Sequence, residues 1–229
     1  MGHDPVWCYV SAMLLTQRQT YTRAERSSDA VVHMSGLAVV LIAVPVLVTL
    51  AIVLRGDVAA VVGTVLYGVA LTAMILCSAL YNMAEHPQWR AFFRHFDQTA
   101  IYIKIAATYT PFILMSGGSN LWLLAGLWCA AIFGSGMRMM APDRLQLLAV
   151  AIALGMGWAG LFAGDAFFAG LSMPVIVLIV TGGVLYTVGV AFFLCERLPF
   201  HMTIWHVFVL AASMVFYAAV TVHLVQAAG

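Results

Sequence analysis

Five polar side chains stand in or beside stretches that are otherwise apolar, and their types are those of a hydrolytic or metal-assisted site: Ser78, Asn82, Asp97, Lys104 and His206. A charged group within hydrocarbon costs ~2.5–3.5 kcal/mol or more, so such residues are the first candidates for function. Ser78 and Asn82 are one helical turn apart, Asp97 follows Arg94-His95-Phe96, and His206 closes the run Met202-Thr203-Ile204-Trp205-His206. In such a cluster an aspartate can act as general base or position a water, a histidine can act as acid or metal ligand, and a serine can orient either. Lys104 is the only lysine of the chain. Lying seven residues beyond Asp97, it shares a helix face with that residue at a rise of ~10.5 Å. Its ammonium is therefore expected to pair with Asp97, directly or through water and Ser78 or Asn82, or else to point into a wet crevice or snorkel without a special partner. A buried lysine also admits a retinal Schiff base, but retinal pumps carry that lysine in the last helix, and the last apolar run here has none.

The elements that must position these groups are membrane spans. Of 229 residues, 64% are hydrophobic and 8% charged, far from the roughly 45–50% and 25% of a soluble domain. Apolar runs long enough to cross a bilayer occupy about 32–54, 58–82, 98–116, 121–140, 145–163, 170–195 and 203–226. They are continuous rather than alternating, which disfavours a β-barrel. The fold expected is an all-α integral membrane bundle of seven transmembrane helices, with a cytoplasmic N-terminal segment over 1–31 and the seven-helix domain over 32–229. Arg18, Arg23, Arg26, Arg90, Arg94, Arg138, Arg144 and Arg197 fall in the N-terminus and the even-numbered loops, and Arg55 alone falls in an odd one. Because basic residues are retained inside, the N-terminus is cytoplasmic, the C-terminus lies outside, and the candidate residues gather at the cytoplasmic ends of their helices.

A net charge of +1 gives no electrostatic support for nucleic acid as a partner. Membrane lipid is the partner expected, and the sequence says nothing of oligomeric state. The four cysteines are far apart, with no metal-ligand spacing, and read as reduced fillers. The first thirty residues read as a retained segment that does not carry the function: Trp7 to Leu15 suits a short surface helix, and Glu25 to Asp29 a polar connection before the first span. His33 is expected to bond loop backbone, and His223 to sit at the outer interface. Gly160-x-x-x-Gly164 suits packing within the bundle.

Several motifs in this order resemble the hemolysin III branch of the progestin and adipoQ receptor (PAQR) membrane proteins and, more distantly, the alkaline ceramidases. They are Ser78-Ala79-Leu80-Tyr81, Phe96-Asp97-Gln98-Thr99-Ala100-Ile101-Tyr102 running on to Thr108-Tyr109-Thr110-Pro111-Phe112, and Pro199-Phe200 with Ile204-Trp205-His206-Val207-Phe208. Glu25, His33-Met34-Ser35-Gly36 and Gly182-Gly183-Val184-Leu185-Tyr186 also look like that family, and the resemblance covers about 25–227.

The resemblance implies a zinc ion near the cytoplasmic face. In the family it is held by one histidine four residues after the second-span serine and by two histidines four apart in the last span, with the serine and an aspartate beside it. Carried over residue by residue, Ser78, Asp97 and His206 match, but the other two histidine positions are Asn82 and Met202. An amide is a poor zinc ligand and a thioether prefers softer ions, so tight zinc binding at this set is disfavoured and no cofactor is expected. Asp97, His206 and the neighbouring His201 remain the residual metal candidates, although His201 is rotated ~140° from His206 around the helix. The function expected is that of a hemolysin III-like protein with a degenerate metal site, acting in lipid binding or membrane homeostasis in a bacterial inner membrane. The alternatives are a zinc-dependent lipid amide hydrolase and a pore-forming hemolysin.

Overall fold

The computed structural model describes residues 21–118, 120–140 and 145–228. The surface helix expected near Trp7 to Leu15 lies outside the described residues. Among those described, the regular structure is entirely helical, in nine helices: α1 (Arg23–Leu54), α2 (Val58–Met83), α3 (Pro87–Met115), α4 (Leu121–Met140), α5 (Gln146–Gly157), α6 (Ala159–Ala163), α7 (Asp165–Phe168), α8 (Met173–Leu194) and α9 (His201–Gln226). Five of them, α1, α2, α4, α8 and α9, are long and apolar enough to cross a membrane. Large apolar side chains such as Ile42, Val53, Ile132 and Phe133 stay on the outside, each more than half exposed. Such a surface suits lipid rather than water.

The helix starts differ from the expected runs for local reasons. Thr22 and Glu25 form a capping box, so the polar stretch Glu25 to Asp29 is the opening of α1 and not a connection. At ~1.5 Å per residue the 32 residues of α1 measure ~48 Å, well beyond the ~30 Å of a hydrocarbon core. Pro87 at the first helical position starts α3 ten residues before Asp97, within the expected 83–97 connection. Trp89, Phe92 and Phe96 lie along that extension, about half exposed. The expected 145–163 span is one helix broken at Trp158. Tyr109 bridges the break, its hydroxyl donating to Gly157 O (2.7 Å) and accepting from Gly160 N–H (3.1 Å). The chain breaks again at Gly164, whose φ of +61° with ψ −147° belongs to glycine alone. The Gly160/Gly164 pair therefore does not form one helix face.

The helices pack in sequence around α3, with α9 returning against α1 and α8, and with only thin contact between α5 and α8. From Ala106 to Ile113 α3 is buried on every side. Gly63 permits the close approach of α2, since a Cβ there would stand 2.9 Å from Pro111 Cα. Asp57 ends the α1–α2 turn, capping α2 by accepting from Ala60 N–H (3.0 Å) and from Arg55 Nε (2.6 Å).

Candidate metal centre

Asp29 and His33 are four residues apart on α1 and so present their side chains to one side. His206 comes from the second turn of α9. The two helices are tied together just outside this point. Glu25 Oε1 accepts Phe200 N–H (2.9 Å), and the Ser28 and Thr203 hydroxyls are 3.0 Å apart. Phe200 needs that acceptor because its left-handed conformation, φ +60°, starts α9 without a side-chain cap of its own.

Within this frame Asp29 Oδ1 lies 2.6 Å from His206 Nδ1, and Asp29 Oδ2 lies 3.4 Å from His33 Nε2. The two imidazoles face each other with centroids 4.4 Å apart. One ligand atom from each of the three residues falls within 4.8 Å of the others. His33 Nε2 is buried, and its contact with Asp29 lacks hydrogen-bond geometry, so it is left without a hydrogen-bond partner. An orphaned buried imidazole nitrogen beside a carboxylate and a second imidazole suits a divalent ion. Two histidines with one carboxylate are a known zinc set that leaves a coordination position open. Tetrahedral ligands at ~2.0–2.1 Å from a zinc ion stand roughly 3.3 Å apart. The His33–Asp29 Oδ2 separation of 3.4 Å meets that spacing, and the His206–Asp29 Oδ1 separation of 2.6 Å is shorter by under about 1 Å, so each imidazole faces its own carboxylate oxygen. The donor set therefore suits a divalent ion, on residues that differ from those of the family pattern.

Ser78, Asp97, His33 and His206 line one end of a cavity of about 560 Å³. Asp97 lies beside the Ser78 side chain, within electrostatic reach of His206 and His33. The expected cluster of Ser78, Asp97 and His206 is thus brought together, with Met202 also in the cavity wall. Asn82 is engaged locally, its amide donating to Ser78 O at 2.9 Å. His201 does not join the cluster, because its Nε2 takes the Tyr21 hydroxyl at 3.1 Å.

Lys104 departs from expectation. Its Nζ donates to the Tyr186 hydroxyl at 2.8 Å and lies over the Tyr186 and Phe216 rings, 4.5 and 4.9 Å from their centroids. It pairs with no carboxylate among the described residues. The ~10.5 Å rise to Asp97 is too long for the stem, and Tyr186 on α8 offers a nearer acceptor. His223 also differs, being buried against Phe112, with Nε2 3.4 Å from Ser116 Oγ.

The sequence reading missed Asp29 and His33 as a pair. Their four-residue spacing was a legible signal, masked by taking 25–29 for a connection.

Comparison with known proteins agrees with the motifs. The family model described as Haemolysin-III related matches residues 22–217. The chain belongs to this family. It is 33% identical over 210 residues to the Hemolysin-3 homolog of Bacillus subtilis (strain 168), covering 90% of this chain and 97% of that protein. It is 34% identical over 215 residues to Hemolysin-3 of Bacillus cereus, covering 92% and 97%. A more distant relative is the human Monocyte to macrophage differentiation factor, 24% identical over 169 residues, which cover 68% of this chain and 67% of that protein. As a Haemolysin-III related chain with five helices able to cross a membrane, it is a multi-pass membrane protein.

Proposed function

We propose that this haemolysin-III protein crosses the membrane seven times and holds a divalent metal ion on Asp29, His33 and His206, at the cytoplasmic end of a cavity that takes a membrane lipid. Beyond the five long helices, the apolar part of α3 from 98 to 115 and the α5–α6 pair from 146 to 163 each measure ~27 Å, close to the hydrocarbon thickness. The distribution of arginines supports a cytoplasmic N-terminus and an external C-terminus.

The observation that carries the metal reading is the convergence of three donor atoms within 4.8 Å at a buried imidazole nitrogen that makes no hydrogen bond. The positions that hold the family's other two histidines are Asn82 and Met202, and α1 supplies Asp29 and His33 in their place. Lipid as the occupant is supported by the cavity's make-up: a polar end with Asp97 and His206, and apolar walls including Val150, Leu154 and Val209. Arg26 and Arg90 at the cavity mouth suit an anionic headgroup.

A lipid amide hydrolase is the second reading, favoured by Ser78 and Asp97 side by side in the cavity wall near the three donors. A divalent ion bound there would supply a Lewis acid for a lipid carbonyl. Asp97 would accept and hold a proton at its carboxylate oxygen, and Ser78 would keep that carboxylate aimed into the cavity.

Elemental analysis of the purified protein, together with mass spectrometry of the lipid extracted from it, tests the proposal. About one divalent ion per chain and a co-purifying lipid are expected. A protein that stays metal-free after equilibration with zinc refutes the metal reading. Hydrolysis of a lipid amide that is lost in Asp97→Asn would establish the second reading.

A further inference from the structure

Lys104 remains outside that account, a buried cation with little around it to balance its charge. It is 2% exposed and lies seven residues deeper on α3 than Asp97, ~10.5 Å further from the polar mouth. Its ammonium has three N–H donors but only one hydrogen-bond acceptor, the Tyr186 hydroxyl. That hydroxyl is itself 2.7 Å from Ser213 Oγ. The ring faces of Tyr186 and Phe216 recover part of the hydration lost by the cation. No carboxylate among the described residues balances its charge, yet the residue lines the cavity rather than being sealed behind it.

A buried cation with spare donors that faces an open cavity is an anion receptor. We propose that Lys104 binds the carboxylate of a long-chain fatty acid, whose chain lies along the apolar wall formed by α5 and α8. A carboxylate matches the site in charge, one negative against one positive, and in number of acceptors. A phosphomonoester carries more charge than this single cation can balance, and a phosphodiester headgroup finds the arginines at the mouth first. The wall near Lys104 includes Ala153, Leu154, Val190 and Phe193, which offer an alkyl chain only apolar contact. The inference rests on the reading of the cavity as a lipid site, but it does not require the metal.

The test compares labelled hexadecanoic acid with hexadecan-1-ol, two ligands that share a chain and differ in the headgroup. Both are titrated onto the purified full chain in detergent at about pH 8, far above the usual carboxylate pKa of about 4.3. Each titration is run with and without chelator. Wild type should bind the acid at least about tenfold more tightly than the alcohol, with or without chelator. In Lys104→Met, which keeps the volume and removes the charge, the preference should vanish while the alcohol binds as before. Unchanged alcohol binding also reports that the variant is folded. Acetate, which brings the carboxylate without the chain, should not compete at equal concentration.

Equal binding of acid and alcohol by wild type overturns the inference and leaves the lipid cavity standing. A preference that disappears with chelator but survives in Lys104→Met overturns it as well, placing the carboxylate on the metal. Competition by acetate overturns the fatty-acid assignment. If neither ligand binds, the cavity reading falls and the inference falls with it. If the methionine variant fails to bind the alcohol, Lys104→Gln is the replacement, and retention of the acid preference in it refutes the role of the charge.

Discussion

Replacing Asp29 by asparagine separates a metal ligand from a hydrogen-bonding partner. The amide keeps the shape of the carboxylate and can keep an oxygen facing His206 Nδ1, which lies 2.6 Å from Asp29 Oδ1. It removes the negative charge and the better ligand. Exchanging a charge-assisted for a neutral hydrogen bond costs about 1 kcal/mol, whether or not metal is present. The metal-dependent part is larger. An ion supplied at 100 times its Kd stabilises the folded chain by ~2.7 kcal/mol, which at 2–4 °C per kcal/mol for a chain of this size raises Tm by roughly 5–10 °C. Thermal unfolding in detergent, with zinc and with chelator, for wild type and Asp29→Asn, isolates that increment. Wild type should lose it on chelation, whereas the variant should show almost none to lose. A variant that keeps the wild-type chelator-sensitive shift refutes the assignment of Asp29 as a ligand, and a zinc-loaded wild type without any shift refutes the centre itself.

Other consequences follow from packing and capping. Tyr109→Phe leaves the buried Gly160 N–H without its acceptor at 3.1 Å, at a cost of about 1–3 kcal/mol, and hydrogen exchange at residues 158–161 should quicken while α2 is unaffected. Gly63→Ala places a methyl 2.9 Å from the Pro111 backbone, which cannot yield as a side-chain tip would, so a loss of about 1–3 kcal/mol in unfolding free energy is expected. Gly126→Ala, with nothing within 4 Å, should be neutral or stabilising in the same measurement. The Ala60 amide and, after it, the Arg55 guanidinium hold the Asp57 carboxyl below its usual range. Because its folded pKa is the lower one, its contribution is present above the unfolded value of about 3.9 and is lost as pH falls through the folded value. Tm of Asp57→Asn should therefore fall less steeply than that of wild type below about pH 4.

Hydropathy and motif order made the helical membrane fold and the family legible, because lipid imposes long apolar runs on any chain that crosses it. The extra turns of α1 and α3 were written in Thr22-x-x-Glu25 and in Pro87, local signals that a search for apolar runs passes over. The break at Trp158 was not legible, since it depends on Tyr109 arriving from another helix. The same holds for the site. Ser78, Asp97 and His206 were found because their motifs resemble a family, whereas Asp29 and His33 required knowing that α1 begins as early as Arg23 and meets α9. The true neighbour of Lys104 is Tyr186, 82 positions away, and no spacing rule joins the two.

Glu25 receives the Thr22 amide with one carboxylate oxygen and the Phe200 amide with the other. Swinging of the last helix breaks the Phe200 bond alone, whereas fraying of the first as far as Glu25 breaks both, so this carboxylate ties the start of α9 to the opening turn of α1. Melting of that opening turn therefore removes the anchor of α9 along with the helix that carries Asp29 and His33.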